Sequence, residues 1–188
     1  MSTSSSSSFR DRLITVAALS LMGLAVAQGG YVAYRLMSTP SGTAARSSLP
    51  PDAKDFRGRP LPSLASLRGL NGAAVARETS APVTIVAMLR TTCPACNVAK
   101  PVLESLKAEY GDRVGVVGVF AEDAGVVEQY GATYPSFVDA DRKVWDALGV
   151  RSVPQFLVVR DGKVVDQIVG YSPEVGQDLE AVAKGVVK

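Results

Sequence analysis

Cys93 and Cys96 are the only thiols in a 188-residue chain that contains no histidine. They stand in the order Cys93-Pro94-Ala95-Cys96, which brings both sulfurs to one face if the segment is helical. The flanking sequence supports a helix. Val83 to Leu89 is an unbroken β-branched and apolar run between Pro82 and the polar Arg90-Thr91-Thr92, as expected of a strand covered on both faces. From Val98 onward, Val98, Val102, Leu103, Leu106 and Tyr110 follow a helical period, and Gly111 is the stop signal. Cys93 then falls at the N-cap, Pro94 at the first helical position, where a missing N–H is harmless, and Cys96 one turn inside. The unpaired amides and positive dipole end of a helix N-terminus favour a thiolate at Cys93, and Arg90 brings a further cation to the turn. Cys93 is therefore read as the attacking nucleophile and Cys96, better shielded, as the thiol that closes a disulfide and releases a bound partner.

Other chemistries of two cysteines fit less well. Structural zinc needs about four ligands, and without a third cysteine or a histidine two carboxylates would have to complete the set, so no metal site is assigned. A permanent disulfide across so small a loop would remove little entropy from the unfolded chain. Two inert core cysteines would leave the strand, turn and Cys-Pro-x-Cys helix start without a purpose. From a different class, two thiolates at this spacing suit a linear Cu(I) site in a non-catalytic copper- or client-binding module. Of Met1, Met22, Met37 and Met88, only Met88 lies near in sequence, and its place is inside the strand.

From about Phe56 to the C-terminus the chain resembles the TlpA-type thiol-disulfide oxidoreductases, thioredoxin-like domains tethered outside the bacterial cytoplasmic membrane. The resemblance is carried by Cys93-Pro94-Ala95-Cys96, by Pro101 five residues after the second cysteine, and by Val153-Pro154. It implies an α/β fold, a thioredoxin-like mixed sheet flanked by helices. It also implies a redox-active Cys93–Cys96 disulfide, a cis Val153–Pro154 bond facing it, and client contacts at Pro94, Ala95, Val153 and Pro154. No cofactor is expected beyond the cysteine pair. The implied partners are client proteins with disulfides or thiols and a membrane electron donor, in a reductase serving cytochrome c or other metalloprotein maturation. A similar Thr-Cys-Pro-x-Cys turn occurs in proteins that help mature amine dehydrogenases.

The chain also departs from the pattern. Thr92 stands where thioredoxins usually carry an aromatic residue, and Ala87 where they often hold a buried polar or acidic one, six positions before Cys93. Proton transfer at Cys96 must then use solvent or a carboxylate from elsewhere. Arg90 occupies the place of the Thr or Ser of peroxiredoxins, which weighs against peroxide reduction.

The remaining sequence positions this unit. Residues 1–12, with their Ser4 to Ser8 run, are too polar to fold alone. Leu13 to Tyr34 carries no charge and is long enough to cross ~30 Å of hydrocarbon, so 13–37 reads as a single transmembrane anchor, with Arg10 and Arg12 on the inner side. The rival is a signal peptide cleaved after Ala25-Val26-Ala27. Either puts the domain in the periplasm or at the cell exterior, where cysteines can stay oxidised. Residues 38–52, rich in Ser, Thr, Ala, Gly and Pro, form the linker, and 53–188 the domain. A net charge of +2 gives no nucleic-acid footprint.

Within the domain, Leu61, Leu64, Leu67 and Leu70 recur every three residues in a stretch read as short helix or irregular cover. By the resemblance, that stretch packs on a sheet edge. Val114 to Phe120 is a strand joined to the first by a right-handed parallel crossover. Ala124 to Tyr130 is read as helix, Tyr134 to Val138 as strand and Arg142 to Leu148 as helix, with Trp145 as a packing residue. Gln155 to Arg160 and Lys163 to Val169 form a hairpin over Asp161-Gly162, and Pro173 opens a last helix to about Val187.

Overall fold

The computed structural model describes residues 49–186. The polar start at 1–12, the membrane segment at 13–37 and all but the last residues of the linker lie outside them. Among the described residues no helix is long and apolar enough to cross a membrane.

The elements in chain order are β1 (Arg68–Gly69), α1 (Val75–Glu78), β2 (Val83–Leu89), α2 (Pro94–Tyr110), β3 (Val114–Phe120), α3 (Ala124–Tyr130), β4 (Ser136–Val138), α4 (Lys143–Ala147), β5 (Gln155–Arg160), β6 (Lys163–Val169) and α5 (Pro173–Val186). They build one six-stranded sheet in the order β1-β4-β3-β2-β5-β6. β2 runs parallel to β3 and β3 parallel to β4, whereas β5, β6 and β1 are antiparallel to their neighbours. The expected mixed sheet is therefore present, with β2, the strand that leads to the cysteines, near its middle.

Every residue of β2 and β3 is buried, which explains why both read as continuous apolar runs rather than alternating ones. Ile85, Ala87 and Leu89 face a layer containing Leu103, Leu106 and Tyr110 of α2 and Leu179 and Ala183 of α5. Val86 and Met88 face the opposite layer, where Val144, Trp145 and Leu148 pack with Phe56, Leu64 and Leu67. Leu64 and Leu67 thus cover the second face while Leu70 packs in the first, and the segment from Gly58 to Gly69 reaches both margins of the sheet. At one margin β1 pairs with β4. At the other, the Gly58 N–H donates to the Val164 carbonyl at 2.7 Å, and the Val164 N–H to the Arg59 carbonyl at 2.9 Å.

Gln167, 0% exposed, fastens that second margin: its Oε1 accepts from the Phe56 N–H at 2.8 Å and its Nε2 donates to the Lys54 carbonyl at 3.0 Å. In β3, glycine is required by close approach. A Cβ at Gly118 would lie 2.8 Å from Tyr134 Cε2 and 2.9 Å from Phe120 Cε2. The Asp161-Gly162 turn has φ of 50° and 72°, the left-handed pair that a two-residue hairpin needs.

Two boundaries and one helix face differ from the sequence reading. The strand at Tyr134 begins only at Ser136, because Pro135 has no N–H to place in a ladder. The helix at Arg142 begins one residue later, with Arg142 itself at φ 57° as the cap. Val98 is not on the core face of α2 but 60% exposed, and Ala99 takes the buried position, so the apolar stripe is rotated from the one inferred.

Candidate active site

β2 ends at Leu89, the chain turns through Arg90–Thr92, and α2 starts at Pro94 with Cys93 as its N-cap. The Cys93 N–H donates to the Arg90 carbonyl at 3.2 Å, closing the turn. The Cys96 N–H donates to Cys93 Sγ at 3.2 Å, so the sulfur takes the capping role that an oxygen fills in most helices. Both thiols are free. Cys93 is half-buried, while Cys96 is fully enclosed at 0% exposure. Pro94 is exposed, Ala95 half-buried, and Pro101 lies within α2 without ending it.

The opposite wall comes from the segment before β5. The Val153–Pro154 bond is cis, and the Cys93 thiol donates to the Val153 carbonyl at 3.6 Å. Val153 is half-buried and Pro154 buried. Cys93, Cys96, Pro94, Ala95, Val153 and Pro154 thus fall at one end of the sheet, at the C-terminal tip of β2.

Burial pushes the Cys96 thiol up to about 12, opposed by a backbone hydrogen bond from Arg90 that lowers it. Cys93 and Glu122 add smaller rises. Above Cys96 lies Tyr130 of α3, whose hydroxyl donates to the Cys96 carbonyl at 3.1 Å, while Lys100 Nζ donates to the Tyr130 carbonyl at 2.9 Å. Burial also raises Tyr130 to about 12, with Cys96 the next cause. The helix start is thereby held from above as well as by its own cap.

Arg90 differs from expectation. Its guanidinium lies 5.8 Å from the Trp145 ring centroid, with Arg142 at 5.6 Å from the same ring, so its charge is directed to α4. Met88 faces the layer opposite the cysteines and adds no thioether to them. Among the described residues no three Cys, Asp or Glu side chains converge as metal ligands.

Sequence reading did not single out Glu122. Its half-buried carboxylate sits just beyond β3 and binds Thr91, two residues before Cys93. The signal was present in the parallel pairing. If β2 and β3 run side by side and Leu89 meets Phe120, the next two residues on each bring Thr91 beside Glu122.

Residues 54–184 match the Redoxin family, well over half of the chain. The chain belongs to the Redoxin family. Over 103 residues the Redoxin domain is 30% identical to the thiol-disulfide oxidoreductase ResA of Bacillus thuringiensis (strain Al Hakam), a match covering 51% of this chain and 58% of that protein. It is 27% identical over 116 residues to thioredoxin of Listeria monocytogenes serovar 1/2a, covering 62% of this chain and 94% of the relative. The chain thus spans little more than half the length of the ResA relative. In three dimensions it is similar to a thiol:disulfide interchange protein assigned as DsbE from Chlorobium tepidum, with TM-score 0.60 at 21% identity over 70% of this chain and 98% of that one. That likeness shows the thioredoxin-like fold.

Proposed function

We propose that this protein is a thiol-disulfide oxidoreductase in which Cys93 attacks and Cys96 resolves. One observation carries the reading: a solvent-reachable thiol caps a helix and faces a backbone carbonyl at 3.6 Å, with a second, fully enclosed thiol one turn inside. An accessible sulfur meets the client, and a buried one meets only the first sulfur.

In the reducing direction the Cys93 thiolate attacks a client disulfide. One sulfur–sulfur bond forms, the client bond breaks, and the leaving client thiolate takes a proton. Cys96 then loses its proton and attacks Cys93, the Cys93–client bond breaks, and the second client sulfur leaves and is protonated. Two electrons and two protons pass to the client, and the dithiol becomes a disulfide. The Val153 carbonyl, set by the buried Pro154, and the surfaces of Pro94 and Ala95 are the surroundings in which an extended client segment would lie. Turbidimetric insulin reduction by the full-length chain with dithiothreitol tests this reading, and a rate equal to dithiothreitol alone refutes it.

The narrower reading is a reductase outside the cytoplasm, held to the membrane through 13–37, fed by a membrane electron donor and acting on cysteines of cytochromes or other metalloproteins. The support is the uncharged stretch Leu13 to Tyr34 and the likeness to ResA. Equilibration against glutathione tests the direction: a potential near or below about −270 mV fits a reductase, and one near about −120 mV makes the protein an oxidant. For the anchor, the full-length chain should stay with membranes after carbonate extraction. A mature N-terminus at Gln28 in a soluble extracytoplasmic fraction would replace the anchor with a signal peptide.

A further inference from the structure

We propose that Tyr130 is a positioning residue of the dithiol, its hydroxyl holding the Cys96 backbone so that the enclosed sulfur stays aligned for attack on Cys93. The inference rests on the oxidoreductase reading and assigns a further residue to that site.

Cys96 is held at both of its main-chain polar groups. Its N–H donates to Cys93 Sγ at 3.2 Å, and its carbonyl accepts from the Tyr130 hydroxyl at 3.1 Å. With the 3.6 Å contact from Cys93 Sγ to the Val153 carbonyl, a continuous series of contacts runs from Tyr130 through Cys96 and Cys93 to the wall before β5. Tyr130 enters this series from the end of α3, 34 residues from Cys96 in sequence.

Pro101 explains why α2 gains from support at this point. A carbonyl inside a helix takes the N–H four residues on, and Pro101 has none to offer Asn97, so the ladder lacks a rung directly after Cys96. The Cys96 carbonyl has two lone pairs and can take the hydroxyl in addition to a helical N–H.

Tyr130 is itself braced. One turn after Cys96, Lys100 Nζ donates to the Tyr130 carbonyl at 2.9 Å and lies 5.0 Å from the ring centroid. Another turn on, Glu104 Oε1 accepts from the Thr133 N–H at 3.1 Å. Cys96, Lys100 and Glu104 are spaced four residues apart on one face of α2, so the segment from Tyr130 to Thr133 is fastened along that face. The buried Phe120 meets the Tyr130 ring edge-on, with centroids 5.5 Å apart.

The consequence falls on closure of the disulfide. Cys96 is 0% exposed, so its sulfur meets only the mixed disulfide at Cys93. In that step Cys96 gives up its proton to the medium, its sulfur bonds to Cys93 Sγ, the bond from Cys93 to the client breaks and the client thiolate leaves. An intramolecular displacement depends on the alignment of its reacting atoms, and a loosened Cys96 backbone spends less time in line. The first attack, on an outside disulfide, uses the Cys93 sulfur alone.

The test reads both steps in one stopped-flow trace. Reduced full-length protein is mixed with dithiobis-nitrobenzoate, an aromatic disulfide: attack by Cys93 releases one coloured thiolate in a second-order phase, and closure by Cys96 releases the other in a first-order phase. Tyr130→Phe keeps the ring against Phe120 and Lys100 and removes only the hydroxyl. The expected result is a closure phase slowed about three- to tenfold, the range of one lost hydrogen bond, with the first phase unchanged. Gln167→Leu, which loosens the remote β6 margin, is the stability control and should close at the wild-type rate, with urea midpoints measured for both variants. An unchanged closure phase in Tyr130→Phe overturns the proposal. So does equal slowing in Gln167→Leu, which would assign the effect to lost stability, or equal slowing of both phases in Tyr130→Phe. A wild-type protein with no closure phase refutes the oxidoreductase reading and the proposal with it, a result distinct from a closure phase indifferent to Tyr130.

Discussion

Cys93 and Val153 meet across the turn, 60 residues apart in sequence, with the thiol directed at the carbonyl oxygen at 3.6 Å. The contact sets the more accessible of the two sulfurs against a half-buried backbone carbonyl rather than against a charged side chain.

The division of labour between the two sulfurs is the first expectation. Because Cys93 is reachable and Cys96 is 0% exposed with its thiol raised by burial, neutral-pH alkylation of the reduced protein should label Cys93. Cys96→Ser should accumulate mixed disulfides, visible on non-reducing gels. Equal or better trapping by Cys93→Ser would reverse the assignment.

Stability should depend on pH in a redox-dependent way. The Cys96 thiol is raised from 9.0 to about 12 in the folded state, so its contribution is whole below pH 9 and declines as pH rises towards 12, where the unfolded chain releases the proton first. The oxidised protein has no such thiol. Across this window the reduced form should therefore lose stability relative to the oxidised form, by no more than about 1.4 kcal/mol per pH unit. Urea unfolding of both forms at pH values spanning the window checks this, and a difference independent of pH refutes it.

Gln167→Leu should release the strip that covers β6. It leaves the Phe56 N–H and the Lys54 carbonyl without their partner, at a cost of about 2 kcal/mol. A lowered urea midpoint and faster amide exchange at Phe56 are expected, with little change in the reactivity of Cys93.

Gly118→Ala should destabilise by overpacking, about 1–3 kcal/mol, since the new methyl meets Tyr134 and Phe120. Trimming the opposing ring with Tyr134→Leu should recover part of the loss in a double-mutant cycle.

Much of this was legible in the chain. Val83–Leu89, the Cys93 cap, Gly111 and the Asp161-Gly162 hairpin are each specified by residues adjacent in sequence, and such local signals survive folding unchanged. The two-residue strand β1 was not legible, because Arg68 and Gly69 become a strand only by meeting Val138 and Phe137 far along the chain. Val98 misled because a valine at helical spacing looks like core, whereas the buried position is taken by the neighbouring Ala99. At the site, the cysteines and Val153-Pro154 carried the resemblance, but the Thr91–Glu122 clamp depends on how two strands align. Arg90 was read by its proximity in sequence to Cys93, while the aromatic face of Trp145 attracts its guanidinium.

That last pairing gives the molecule an optical readout. Trp145 is the only tryptophan, it is 1% exposed, and the guanidinium over its ring comes from the turn that delivers Cys93. Its emission will respond both to loss of packing around α4 and to displacement of Arg90. Stopped-flow fluorescence can therefore follow the cysteine turn during exchange with a client, without any attached dye.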